Sequence, residues 1–188
     1  MAIPVDRTRI APATWNDVLG AHAELAAWGL HPVVFGGWAR ELHGAWRYEG
    51  HADVDMLVTA KDLSVFDEFI ASSGRAEFRP KRHHHKRAYL RDRVLVELIQ
   101  VRRTPAGLAT DFYGRLHRAW IEPLSCPLQT PCGTVLPVIT AENIQAYERD
   151  HESVERAFFE AYPHLRAEAR EWLGCERLPY DDRKLFPQ

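Results

Sequence analysis

The chain has 188 residues, sets 24 Lys and Arg against 26 Asp and Glu with 10 His, and carries a formal net charge of −2. That length fits one compact domain or one domain with a short helical appendage, and 46% hydrophobic residues with 11% aromatic supply a core and exclude wholesale disorder. The balanced charge excludes the global basic field of a nonspecific nucleic-acid binder, and the apolar runs are far shorter than the ~20 residues of a membrane span.

The opening MAIPVDRTRIAPATW has charges where a signal peptide needs its apolar stretch, so a cytoplasmic location is the expectation. Thr14 then opens the first predicted helix, with Asp17 at the spacing of a capping box. Trp15, Val18, Leu19, His22, Leu25 and Ala26 recur at helical spacing up to Trp28, and Gly29 and Pro32 end the pattern. Val33-Val34-Phe35 reads as a buried strand running into a tight turn at Gly36-Gly37, with a second helix from about Trp38 to His43. Asp53 to Thr59 is predicted as a strand and Leu63 to Ser72 as a helix.

Between Gly74 and Arg103 the pattern changes to strands: Glu77-Phe78-Arg79, then Ala88-Tyr89-Leu90 and Val94 to Val101, joined by a turn at Arg91-Asp92-Arg93. Asp111–Trp120 reads as a short helix. Val135 to Ile139 reads as a last strand, which Pro137 assigns to a sheet edge. From Ala141, a helical face is traced by Ile144, Tyr147, His151, Val154 and Phe158; Pro163 restarts a final helix to about Leu173. Cys126, Cys132 and Cys175 lack the density of a disulfide scaffold or zinc-site spacing, and are expected as buried free thiols. The element order predicts a mixed α/β (α+β) fold, a small mixed sheet flanked by helices with a helical C-terminal part.

The segment His51-Ala52-Asp53-Val54-Asp55 carries the first chemical signal. A strand alternates its side chains, so Asp53 and Asp55 share a face, where their repulsion calls for a cation and their oxygens suit Mg²⁺. With 11 Asp in the chain, chance supplies about 0.6 such triplets, so the setting has to carry the argument. That setting is the apolar run Val54, Met56, Leu57 and Val58. A third acid, Glu97, lies within Val94-Leu95-Val96-Glu97-Leu98-Ile99, a strand apolar on both faces. A carboxylate buried there needs a cation, a hydrogen bond or a proton, and either a metal or an arginine ion pair would answer. Gly36-Gly37, between a strand and a helix, allows backbone to approach a phosphate closely. Neither a Walker loop nor a dinucleotide fingerprint is present.

Gly36-Gly37-Trp38-Ala39, His51-Ala52-Asp53-Val54-Asp55 and Val96-Glu97-Leu98 together resemble the DNA polymerase β nucleotidyltransferase superfamily. Within it they are most similar to the aminoglycoside 2''- and lincosamide nucleotidyltransferases. The resemblance implies a nucleotidyltransferase catalytic domain over residues 1–140, with a helical region at 141–188 packing on it. It implies that Asp53, Asp55 and Glu97 hold Mg²⁺, two ions by the family pattern, with Glu97 either completing the second site or serving as general base. Many relatives have Asp where Glu97 stands. Gly36 and Gly37 would face the triphosphate, His51 would order the aspartate strand, and Arg40, Lys86 and Arg149 would lie toward the nucleotide. The implied reaction transfers a nucleoside monophosphate from ATP or another NTP to a hydroxyl of a small molecule, in a monomer or homodimer that needs neither membrane nor nucleic acid. Alternatives are a toxin-type protein AMP-transferase and a catalytically silent nucleotide- or partner-binding module.

Lys81-Arg82-His83-His84-His85-Lys86-Arg87 is the most conspicuous local run. It reads as a solvated basic loop or as a grip on triphosphate or RNA backbone; three adjacent histidines cannot all face one ion from a strand. Trp15 and Trp28 are expected in the core, and Trp38 is expected to pack its helix. Trp46, Trp120 and Trp172 have no assigned role, and Asp111 and Glu122 are candidates for attracting a cationic acceptor.

Overall fold

The computed structural model describes residues 10–44, 51–114 and 116–161. The expected final helix after Pro163, Cys175, Trp46 and Trp172 lie outside them. Helix α1 (Trp15–Ala27) leads to β1 (Pro32–Val34), α2 (Gly36–Leu42), β2 (Asp53–Thr59) and α3 (Ser64–Ser73). After β3 (Ala76–Glu77) and a single 3-10 turn (Arg79–Lys81) come β4 (Lys86–Arg91), β5 (Val94–Thr104), β6 (Gly107–Phe112) and β7 (Leu116–Ala119). The last elements are β8 (Ser125–Gln129), β9 (Val135–Ile139) and α4 (Ala141–Ala161).

Seven strands form one mixed sheet in the order β3-β4-β5-β2-β1-β9-β8, and β6 with β7 extends from β5. Strand pairs β2–β5 and β1–β9 are parallel, and the others antiparallel. The capping box at α1 forms as expected: the Thr14 backbone N–H donates to Asp17 at 2.8 Å and its hydroxyl at 2.6 Å. Val18, Ala21 and Leu25 of α1 and Phe66, Phe69 and Ile70 of α3 bury against Val34, Val54, Met56, Val96 and Leu98 of the sheet in one core. Each such large apolar side chain stabilises the fold by about 1.5–3 kcal/mol. No helix among the described residues is long and apolar enough to cross a membrane.

Several expectations are corrected. The segment read as a helix at Asp111–Trp120 is the β6–β7 hairpin, which pairs Asp111 with His117 and Phe112 with Leu116. Its chain reverses at Tyr113 and Gly114, both at positive φ, a conformation that no helix continues through. Strand β9 is not an edge strand, because β8 covers it. Pro137 is tolerated there because its register partner is Pro127, and two residues without N–H groups can face each other where neither is asked to donate. The short strand lies at Ala76–Glu77 instead of 77–79, and α2 begins at Gly36 instead of Trp38. Cys126 is half-buried and Cys132 exposed, against the expectation of buried thiols. Trp28, at 40% exposure, caps α1 at the surface edge-on to Phe69, not in the core.

Candidate active site

Strands β2 and β5 run parallel with Asp55 opposite Glu97. Alternation along β2 brings Asp53 to the same face as Asp55, and the ligand oxygens of all three acids lie within 4.8 Å of one another. Glu97 is 2% exposed, while Asp53 and Asp55 are half-buried at the start of their strand. Two parallel strands thus supply three acids to one point, because both must be apolar elsewhere to sit in the centre of the sheet.

The glycine pair closes this point from one side. Gly36 has φ +60°, and a Cβ there would overlap the Asp55 carboxylate. A Cβ on Gly37 would lie 2.5 Å from Nδ1 of His51. Both glycines let the start of α2 lie against the acids and the residues that support them.

The support is aromatic. Trp38, 4% exposed, donates its indole N–H to the backbone carbonyl of Asp53 at 2.8 Å, so it packs α2 as expected and also clasps the aspartate strand. The His51 ring lies tilted against Trp38 with ring centroids 4.1 Å apart, and meets Glu41 of α2 through Nε2 at 3.0 Å. Glu41 also accepts the Trp15 indole N–H at 3.3 Å, and the Trp15 and Trp38 rings meet edge-on at 4.6 Å. The backbone carbonyl of His51 accepts the Ala13 N–H at 2.7 Å. The segment preceding Asp53 is therefore held from α1 and α2 together.

The basic run is the largest correction. Lys81, His83, His85, Lys86 and Arg87 are buried, and only Arg82 and His84 are exposed, so the run is neither a solvated loop nor a basic face for RNA. Its first half forms the 3-10 turn and a reversal at His83–Lys86, and its end enters β4. Ala88 lies opposite Glu97 and Lys86 opposite Ile99, so alternation places Lys86 on the Glu97 side of the sheet. Lys86 Nζ donates to one Glu97 oxygen at 2.5 Å, and Lys81 Nζ lies 2.7 Å from the other. Where the sequence left a metal or an arginine as the partner of Glu97, the structure places a pair of lysines. Arg87 and Arg82 serve the scaffold: both grip Asp67 of α3, at 2.7 and 3.0 Å.

The charges act on one another strongly. Burial raises Asp55 well above the ordinary carboxylate value, Asp53 and Glu97 push it the same way, and Lys86 and Lys81 offset part of this. Burial would also raise Glu97, but Lys81 and Lys86 overcome it and hold the carboxyl well below the usual range. His83 is pushed down to about 2 by burial and then by Lys86 and Lys81, so its imidazole is neutral; it stacks on His85, at 6.0 Å, and edge-on to Tyr113.

Of the other expected site residues, Arg40 turns to Glu148 of α4 at 2.5 Å. Arg149 is exposed and lines an open depression of about 540 Å³ with Ile121, Glu142 and Glu148. Neither is among the residues described as touching the carboxylates. Asp111 is tied to Arg102 and His117 on the hairpin. Glu41 is the residue sequence reasoning passed over, and Lys81, read only as part of the basic run, was not placed beside Glu97. For Lys81 the available signal was its place between Phe78-Pro80 and Ala88-Tyr89, an apolar frame unlike that of a solvated loop.

The donor set fits a hard divalent cation: three carboxylates converge, and burial with mutual repulsion disfavours the ionised form of Asp55 unless positive charge is added. No family model and no curated protein matches the sequence. Among solved structures, lincosamide antibiotic adenylyltransferase LnuA, in its lincomycin-bound crystal structure, matches with a TM-score of 0.59 at 10% identity, over 75% of this chain and 89% of that one. ANT(2'')-Ia in complex with adenylyl-2''-tobramycin matches at 15% identity and a TM-score of 0.49, over 85% and 91%. The likeness to the first of these carries the architecture, and on that ground the chain has the nucleotidyltransferase fold.

Proposed function

We propose that the protein is a metal-dependent nucleotidyltransferase that moves a nucleoside monophosphate from an NTP, with ATP the first to test, onto a hydroxyl of a small molecule. Antibiotics of the lincosamide kind, with the aminoglycosides that the sequence resemblance implies, are the acceptor class to try first, since LnuA above holds lincomycin. The observation that carries this reading is the convergence of Asp53, Asp55 and Glu97 beside a glycine pair with no room for a side chain. Asp53 and Asp55 would hold Mg²⁺, with Glu97 beside them. The ion would neutralise charge on the triphosphate. Gly36 and Gly37 would admit the phosphates close to the backbone. Trp38 and His51 would keep the aspartate strand in place, and Lys86 would add positive charge at the nucleotide side. The division into a catalytic part to residue 140 and a helical region from 141 belongs to the same reading.

In the reaction, the acceptor oxygen bonds to the α-phosphorus while the bond from that phosphorus to the bridging oxygen breaks. Pyrophosphate leaves with the electron pair, and the hydroxyl proton passes to solvent. Positioning and charge neutralisation would supply most of the acceleration. The test is a screen of hydroxyl acceptors with Mg²⁺ and each NTP, following pyrophosphate release and product mass. Asp53→Asn and Asp55→Asn should each abolish transfer in a folded protein; full activity in either rejects the site. A nucleotide-sized mass gain on a protein would redirect the reading to protein AMP transfer.

A further inference from the structure

In the two-ion pattern Glu97 completes the second site, and here both Glu97 oxygens already carry an ammonium, Lys81 at 2.7 Å and Lys86 at 2.5 Å. All three side chains are nine-tenths or more buried. Resting on the function proposed above, we propose that Lys81 and Lys86 take the place of a second cation, so the site binds one divalent ion, on Asp53 and Asp55.

Distance and charge carry the argument. A Mg²⁺ ion sits about 2.1 Å from a carboxylate oxygen. An ion on either Glu97 oxygen would therefore lie within about 5 Å of the ammonium on the same oxygen, even at the widest angle. In this buried place the repulsion between them is weakly screened. The alternative of swinging the lysines away has a second cost, because both side chains are buried, Lys81 in the 3-10 turn after Phe78 and Lys86 on β4 between β3 and β5. Three carboxylates against two ammoniums leave one net negative charge, which a single divalent ion reverses. A second ion would leave a strong positive excess before the nucleotide arrives. Lysine suits such a role, being a compact point charge on a long stem.

The experiment counts Mn²⁺ by electron paramagnetic resonance on the full chain with a non-cleavable NTP analogue and no acceptor. One bound Mn²⁺ per chain is expected. The charge-conserving variant Lys81→Met/Glu97→Gln should keep that count with affinity within about threefold, while Asp53→Asn loses affinity by about 100-fold. Lys81→Met/Lys86→Met, checked for folding by circular dichroism, should rise to two. Two ions in the wild type, or a loss beyond tenfold in Lys81→Met/Glu97→Gln, overturns the inference and leaves nucleotidyl transfer standing. No bound ion overturns both. One ion with no pyrophosphate release from any acceptor supports the stoichiometry and removes the enzymatic reading alone.

Discussion

Replacing Gly36 by alanine separates two costs that the structure assigns to different glycines. Gly36 sits at φ +60° and Gly74, the residue that ends α3, at φ +69°. An L-residue in this region costs roughly 1–2 kcal/mol, so both Gly36→Ala and Gly74→Ala should lower the melting temperature by about 2–8 °C for a chain of this size. A Cβ at Gly74 meets nothing within 4 Å, whereas one at Gly36 overlaps the Asp55 carboxylate and lies 2.9 Å from its Cγ. Relief requires Asp55 to shift by about 1 Å, and a misplacement of that size costs on the order of 100-fold in rate. The pair is read by thermal melting and by pyrophosphate release at saturating nucleotide. Gly74→Ala should keep wild-type turnover, and Gly36→Ala should lose about 100-fold. If both variants melt alike and both turn over normally, Asp55 does not have to stay where it is, and the site reasoning fails.

In metal-free protein, Asp55→Asn should raise the melting temperature at neutral pH, because it removes a charge that burial, Asp53 and Glu97 all oppose. The sign follows from linkage: a carboxyl raised above its unfolded value of 3.8 contributes stability below that value and loses it as pH rises through the folded value. The gap between variant and wild type should therefore open with rising pH and close in acid, and Mg²⁺ should stabilise only the wild type; a variant that melts lower at neutral pH refutes this. His51→Ala removes the ring under Trp38 and the Glu41 bond, and should cost about 1–3 kcal/mol by denaturant titration. Asn143, fully buried, accepts the Ile121 N–H and donates to the Ile121 carbonyl, both at 2.9 Å, so Asn143→Ala should cost about 1–3 kcal/mol by freeing α4 from the end of β7. An unchanged melting curve would show that α4 is held by other contacts.

How much of this site is legible in the sequence depends on the range of the interaction. Alternation within one strand puts Asp53 and Asp55 on one face, and it marks Glu97 as a buried acid. Local rules suffice for both. The capping box at Thr14 and the strand–turn–helix around Gly36-Gly37 are local in the same way. What alternation cannot supply is the register between β2 and β5, strands that are distant in sequence and parallel, and it is that register which sets Glu97 beside Asp55. The basic run was opaque for a related reason. Seven polar residues in a row look solvated unless the acid that binds them is known, and that acid lies on the neighbouring strand. The β6–β7 hairpin was hidden by the unusual residue at its turn: Tyr113 takes a positive φ that bulky side chains rarely adopt.

The lysines also alter what Glu97 can do. A general base must give up its existing hydrogen bonds or share them, and its strength falls with its pKa. Glu97 has an ammonium on each oxygen and is held well below the usual carboxylate range, with Lys81 and Lys86 overcoming the effect of burial. Both conditions weaken it as a proton acceptor. They suit it instead to hold the two ammoniums in place, since breaking a buried pair by removing one partner costs about 3–5 kcal/mol. The same geometry therefore answers the question that the Glu-for-Asp difference raises. The longer side chain reaches across from β5 to two lysines on other elements, and under the proposed function metal binding falls to the pair on β2.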